Sequence, residues 1–260
     1  MILVPKIAVI TAVYNAADTL EATIKSVLSQ TTHRQNYEFW IIDGLSTDGS
    51  QDIIKLYEEH IDGHIIEKDL GIYDAWNKGI QNTKAEWICF LGADDALYHN
   101  SIEVLLKYLE QNSYSFDYIS SKSQLTDMSG NNIETFGSKW EWSRFFIYMN
   151  VAHVASLHNR SLFNTYGLFS TFYKTAGDYE FLLRVGSNLK AGFLDEITAK
   201  VRIGGASHKL VALKEQFKID RYVKNRSTPS SVAILVTSVI KYYVKLSLNY
   251  LGIYFRLRNN

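Results

Sequence analysis

The sequence predicts an α/β fold: a mostly parallel central sheet flanked by helices, followed by a C-terminal amphipathic helical extension. Three observations predict it. Short apolar runs alternate with segments of helical periodicity through the first half. Polar turns close the apolar runs, as βαβ units require. The end of the chain is basic and apolar together. With 47% hydrophobic residues, 21% charged residues and two prolines among 260, the chain has enough apolar matter for a large core. Disordered, collagen-like and low-complexity classes are thereby excluded.

Each element follows from its own pattern. Residues 6–13 form a β-branched run, read as a strand, and 18–30 a helix with Leu20, Ile24, Val27 and Leu28 on one side. Residues 38–42 read as a second strand and 52–60 as a second helix. A brief strand at 64–67 precedes a helix at 73–82, and a fully apolar strand at 87–91 precedes a helix at 101–110. A further strand is expected at 116–120, a turn at 130–132, a strand at 151–157 and a helix at 178–185. After Pro229, residues 231–255 read as one helix. The expected division is a main domain over 1–205, with halves at about 1–120 and 121–205, and an extension over 206–260.

Charge and cysteine content limit the function. Lys plus Arg and Asp plus Glu are 27 each, so no excess charge advertises nucleic acid. The balance hides an asymmetry: from Gly205 onward ten Lys and Arg face only Glu215 and Asp220. The single cysteine, Cys89, excludes an internal disulfide or a cysteine-cluster metal site, and a reducing compartment is expected. No signal-peptide pattern opens the chain, so a cytoplasmic location is expected. The dinucleotide, P-loop, zincin and nucleophile-elbow signatures are absent.

In a parallel α/β sheet, ligands bind beyond the carboxyl ends of the strands. The first strand ends in Thr11, Tyr14 and Asn15, the second in Asp43 to Ser50, and the fourth in Gly92-Ala93-Asp94-Asp95. Asp48 alone reads as turn and cap chemistry. Asp94 and Asp95 read instead as metal or substrate residues, with capping of the next helix as the alternative, because adjacent carboxylates after a buried strand repel each other without a nearby cation.

These motifs, Ile7-Ala-Val-Ile-Thr-Ala-Val-Tyr-Asn15, Ile42-Asp-Gly-Leu-Ser-Thr-Asp-Gly-Ser50 and Phe90-Leu-Gly-Ala-Asp-Asp95, resemble family 2 glycosyltransferases of the GT-A fold. Asp69-Leu-Gly-Ile-Tyr-Asp-Ala-Trp-Asn-Lys-Gly79, His153 and Ala176-Gly-Asp-Tyr-Glu-Phe-Leu-Leu-Arg184 are similar to a subgroup that builds bacterial surface polysaccharides. The resemblance implies inverting transfer of a sugar from a nucleotide diphosphate-sugar, usually a UDP-sugar, to a hydroxyl of a saccharide or lipid-linked acceptor. By the same resemblance Thr11, Tyr14, Asn15, Asp43, Asp69 and Asn77 would serve the nucleotide-sugar pocket. Asp94 would face the ribose, Asp95 would hold Mn²⁺ or Mg²⁺, and Asp178 would be the catalytic base. His153 and His208 are candidate acceptor or phosphate contacts. The sequence departs from the pattern at Gly44, Gly92 and Gly177, where acids are common. A sugar nucleotidyltransferase and a degenerate, non-catalytic module are the alternatives. The first lacks its Gly-rich basic loop after strand one; the second is opposed by intact Asp94, Asp95 and Asp178.

The C-terminal helix carries Ser238, Lys241, Lys245, Asn249, Gly252 and Arg256 on one narrow stripe, with apolar residues around most of the rest. This pattern suits a helix lying on the inner face of an anionic membrane; the alternative is that the same face packs on the main domain or forms a homodimer.

Overall fold

The computed structural model describes residues 6–203 and 210–250. The chain builds one mixed sheet with helices on both faces. β1 (Ile7–Val13) leads into α1 (Ala17–Leu28), β2 (Tyr37–Asp43) into α2 (Ser50–Leu56), and β3 (Gly63–Ile66) into α3 (Ile72–Asn82). β4 (Trp87–Gly92) is followed by β5 (Ala96–Leu97) and α4 (Ser101–Gln111). The second half contains β6 (Tyr118–Thr126), β7 (Asn132–Phe136), α5 (Trp142–Phe145), β8 (Leu157–Asn159), α6 (Arg160–Tyr166), α7 (Gly177–Val185) and β9 (Ala191–Arg202). The C-terminal part contributes α8 (Leu210–Lys218), a π-helical turn (Ile219–Val223) and α9 (Thr228–Tyr250).

The strand order is β3-β2-β1-β4-β8-β6-β9-β5, with β7 beside β6. The four strands β3-β2-β1-β4 are parallel, as their apolar runs and intervening helices predict. Beyond them β8 runs antiparallel to both β4 and β6, while β6 and β9 are parallel. Strand side chains alternate between two cores. One packs Val9, Phe39 and Leu91 against α1, α2 and α4; the other packs Ile10, Ile42 and Phe90 against α3, α6 and α7.

One expected strand is corrected. Of residues 151–157, only Leu157 is in a strand. Ala155 has φ 62°, and the His153 carbonyl accepts from Ser156 N at 3.0 Å and Oγ at 2.6 Å, which makes a tight turn. Val151 is apolar because it is buried, not because it is extended. The second helix also ends earlier than 60, with a 3₁₀ turn over Glu58–His60.

Candidate active site

The carboxyl ends of β1, β2 and β4 are level: Val13 lies opposite Asp43, and Ala12 opposite Gly92. The turn after β4 is fixed from below by α1. Thr19 Oγ1 and Thr23 Oγ1 donate to the Ala93 carbonyl at 2.8 and 3.0 Å, and Thr23 also reaches the Asp95 carbonyl at 2.7 Å. Those hydroxyls, unusual on a buried helix face, hold the backbone of the Asp94-Asp95 pair. Gly92 leaves room for the pair, since a Cβ there would lie 2.6 Å from Asp95 Oδ2 and 2.9 Å from Asp94 Oδ1.

An open crevice above this turn is lined by Asp94, Asp95, His153, Asp178, Tyr73, Trp76, Lys174, Thr175 and Arg202, among others. Burial, and then the charge of Asp94, push the Asp95 carboxyl up to about 7. The backbone N–H of Arg202 donates to Asp95 Oδ1 at 3.1 Å. A buried carboxyl beside a second one, with hard oxygen donors facing a crevice, fits a divalent cation of the Mg²⁺ or Mn²⁺ type. Among the described residues no group of three or more acidic, His or Cys ligands exists.

Asp178 faces the crevice from the first turn of α7, with its side chain 19% exposed. Tyr73 donates to its Oδ1 at 2.9 Å, and so does the backbone N–H of Tyr179. Burial and the Asp178 charge keep the Tyr73 phenol well above its usual range, so it remains a donor. Gly177 belongs to the same arrangement. A Cβ there would lie 2.8 Å from the Tyr73 ring, so the ring fills the space a side chain would take. His153 Nδ1 is 4.0 Å from Asp178 Oδ2, and its ring stacks with Phe90 and Trp76 at 5.6 and 5.3 Å. Burial lowers the His153 pKa, with Asp178 opposing.

The other expected site residues lie outside this crevice lining. Thr11 is fully buried in β1 with its hydroxyl unpartnered among the described residues. Asp43 is also fully buried; its Oδ1 accepts from Ser46 N at 2.9 Å and Gln51 Nε2 at 3.3 Å, while Oδ2 has no partner there. Asn15, at φ 50°, ties the two strand-end loops together, accepting from Thr47 N and donating its own N–H to Ser46 Oγ. Tyr14 is 68% exposed beside it. Asp69 accepts from Gly71 N at 2.8 Å and sits where a Gly44 side chain would be, 2.5 Å from that hypothetical Cβ. Asn77 holds the Phe169 backbone by both its amide N–H and its amide oxygen. Asp48 caps α1 from another loop, accepting from Ala17 N at 2.9 Å. Trp140 and Trp142 pack on Phe145 and Phe146. His208 lies outside the described residues.

Sequence reasoning did not single out Tyr73, Trp76, Lys174, Thr175 and Arg202 as site residues. Position carried the available signal: Tyr73 and Trp76 sit inside the Asp69–Gly79 motif, and Lys174 and Thr175 directly precede Ala176-Gly177-Asp178.

A sequence model of glycosyl transferase family 2 matches residues 8–172. A PGL/p-HBAD biosynthesis glycosyltransferase of Mycobacterium bovis is 28% identical over 214 residues, 80% of this chain and 81% of that protein. A putative teichuronic acid biosynthesis glycosyltransferase, TuaG of Bacillus subtilis, is 34% identical over 117 residues, 44% of this chain and 46% of that one. Among solved structures, S. aureus TarS 1–349 in complex with UDP-GlcNAc matches with a TM-score of 0.68 at 15% identity. That match covers 84% of this chain, which spans 65% of the TarS chain. The mannosyltransferase PcManGT from Pyrobaculum calidifontis, in complex with GDP-Man and Mn²⁺, matches with a TM-score of 0.64 at 14% identity, over 92% of this chain and 70% of that one. The structural likeness establishes a mixed α/β, GT-A-like fold. The family match runs from β1 through α6 and takes in Asp94, Asp95 and His153, so the chain belongs to glycosyl transferase family 2 and is a glycosyltransferase.

Proposed function

We propose that this chain is an inverting, divalent-cation-dependent transferase. It moves a sugar from a UDP-sugar to a hydroxyl of a saccharide or lipid-linked acceptor in surface polysaccharide synthesis. The observation that carries the reading is a single crevice with Asp94 and Asp95 on one wall and Asp178 on the other. Asp178 accepts the proton of the acceptor hydroxyl while that oxygen attacks the anomeric carbon and the bond to the diphosphate breaks. A single displacement needs no covalent nucleophile and inverts the carbon. Asp95, with Asp94 beside it, holds the cation; when bound, Mg²⁺ or Mn²⁺ supplies positive charge to the leaving diphosphate. Tyr73 orients Asp178, and Trp76, Phe90 and His153 form an apolar wall that limits water. Thr11, Tyr14, Asn15, Asp43, Asp69 and Asn77 form or brace the nucleoside side; the unpartnered Asp43 Oδ2 is an acceptor suited to a base imide N–H. The relatives named for PGL/p-HBAD and teichuronic acid biosynthesis, and neighbours holding UDP-GlcNAc and GDP-Man, support the surface-glycan setting and a nucleotide-sugar donor. The protein works at the cytoplasmic face of the membrane.

The test separates the two walls. Asp178→Asn is expected to lose roughly 10²–10⁴-fold in kcat while UDP binding stays nearly unchanged. Asp95→Asn, or excess EDTA on the unaltered protein, is expected to abolish both metal-dependent UDP binding and transfer. Near-normal transfer in EDTA refutes the cation. Lost nucleotide affinity in Asp178→Asn moves that residue to the donor side.

A further inference from the structure

The loop that delivers Asp178 is held by the C-terminal part of the chain. Glu215 on α8 is 3% exposed. Its Oε1 accepts from Lys174 N at 2.6 Å; its Oε2 accepts from Thr175 N at 2.8 Å, Thr175 Oγ1 at 2.8 Å and Ala176 N at 3.0 Å. Three consecutive backbone N–H groups and a hydroxyl thus converge on one buried carboxylate. Ala176 is the N-cap of α7 and has no capping side chain of its own, so Glu215 supplies from another element the acceptor that a helix start lacks. The next two residues are Gly177 and Asp178. Lys174 and Thr175 themselves line the crevice.

The segment bearing Glu215 is anchored a second time. Ile219 is fully buried in the core cluster that contains Tyr179. Asp220, 1% exposed, pairs with Lys224 at 3.0 Å, and Lys224 lies over the Tyr179 ring at 4.9 Å. Residues 210–224 therefore grip α7 at its start and at the residue after Asp178.

We propose that Glu215 is a positioning residue for the base, and that α8, which carries it, belongs to the catalytic apparatus rather than to an appended tail. Glu215 touches no substrate; it fixes the backbone of 174–176, and that backbone fixes where Asp178 points. The proposal rests on the reading of Asp178 as the base, so its test carries a readout that needs no activity.

The experiment compares the full chain with Glu215→Gln and with a control, Asp220→Asn combined with Lys224→Met. The control removes the other buried charge contact of the same segment. Amide hydrogen exchange, melting temperature, UDP affinity in Mn²⁺ and kcat well below the melting temperature are read for each. Glu215→Gln is expected to speed exchange across 174–180 and to lower kcat roughly tenfold or more, with UDP affinity within about twofold. The control is expected to melt earlier yet keep its kcat. Native exchange in Glu215→Gln overturns the clamp. Faster exchange with native kcat overturns the positioning role, as does an equal kcat loss in the control. Should Glu215→Gln not fold, Thr175→Val deletes a single bond to the carboxylate and must show the same effects on a smaller scale. If the unaltered protein transfers no sugar from any nucleotide-sugar, the functional reading falls, and exchange alone decides the clamp.

Discussion

At the scale of single residues, Tyr73 makes the sharpest claim. Its hydroxyl is 2.9 Å from Asp178 Oδ1, and its ring occupies the volume that Gly177 leaves free. A hydrogen bond to a charged group contributes roughly 1.5–3 kcal/mol, and an orientation of that strength corresponds to roughly tenfold or more in rate. Tyr73→Phe is therefore expected to lower kcat about tenfold with UDP affinity intact. Gly177→Ala deletes nothing, yet its Cβ would meet the ring at 2.8 Å and push it away, so the same loss is expected. Full activity in both variants would reduce Tyr73 to packing. The carboxylates of this site were legible in the sequence because adjacent acids after an apolar strand have few structural explanations. Tyr73 was not, because an aromatic at the start of an amphipathic helix reads as core, and at 3% exposure it is core as well. Gly177 was legible only as a departure from a pattern; its steric partner lies 104 positions away and no local signal points to it.

At the scale of elements, legibility followed the regularity of burial. The parallel strands β1, β2 and β4 are buried on both faces, so their apolar runs are unbroken and their positions followed directly. β9 was missed. Its pairing with β6 shifts register around Lys122, and its middle residues Asp195, Glu196 and Ile197 are exposed, so no two-residue alternation survives. Beside the β4–β8 pairing, one contact between the parallel half and the rest was also invisible, because a single arginine makes it. Arg160 opens α6 and donates to the carbonyls of Ala85, Ile80 and Thr83 at 2.7, 3.0 and 2.9 Å. Ile80 belongs to the last turn of α3, where orphan carbonyls and the negative helix end both favour a cation. Arg160→Ala leaves these carbonyls without that partner and is expected to cost about 2 kcal/mol, lowering the melting temperature by roughly 4–8 °C. Lysine is a single point donor and is expected to recover only part of the loss. A melting temperature unchanged in Arg160→Ala would show that water replaces the guanidinium without penalty.

At the scale of the whole molecule, the C-terminal part divides at about Arg226. Before it, Glu215, Ile219, Asp220 and Lys224 are buried in the enzyme; after it, α9 packs on α8 along one side. The sequence showed the basic, apolar character of this region but not the division, because the buried charges Glu215 and Asp220 look like solvated ones until their partners are known. On the outer side of α9, Val232, Val236, Ile240, Tyr243 and Val244 are each more than 40% exposed. At 100° per residue they fall within about 120° of one another. Among the described residues no helix is long and apolar enough to cross a membrane. Of the stripe expected from the sequence, Ser238 is half-buried and Lys241 is exposed, while Gly252 and Arg256 lie outside the described residues.

An apolar arc of that breadth next to lysines suits the headgroup boundary of an anionic bilayer, where buried apolar area and attraction to acidic lipids add. It also suits the proposed chemistry, since a lipid-linked acceptor is confined to that boundary. The full chain is expected to float with vesicles containing anionic lipid, and to release at high salt more readily than at low salt. A chain ending at Arg226 keeps Glu215 and the Asp220–Lys224 pair. It is expected to stay at the bottom of the gradient, yet to transfer sugar to a water-soluble acceptor at the rate of the full chain. Loss of flotation together with intact turnover would assign α9 to the membrane alone. If the full chain stays at the bottom even at low salt, the apolar arc belongs to a second copy of the chain, and sedimentation of full and shortened chains would show it as a change from dimer to monomer.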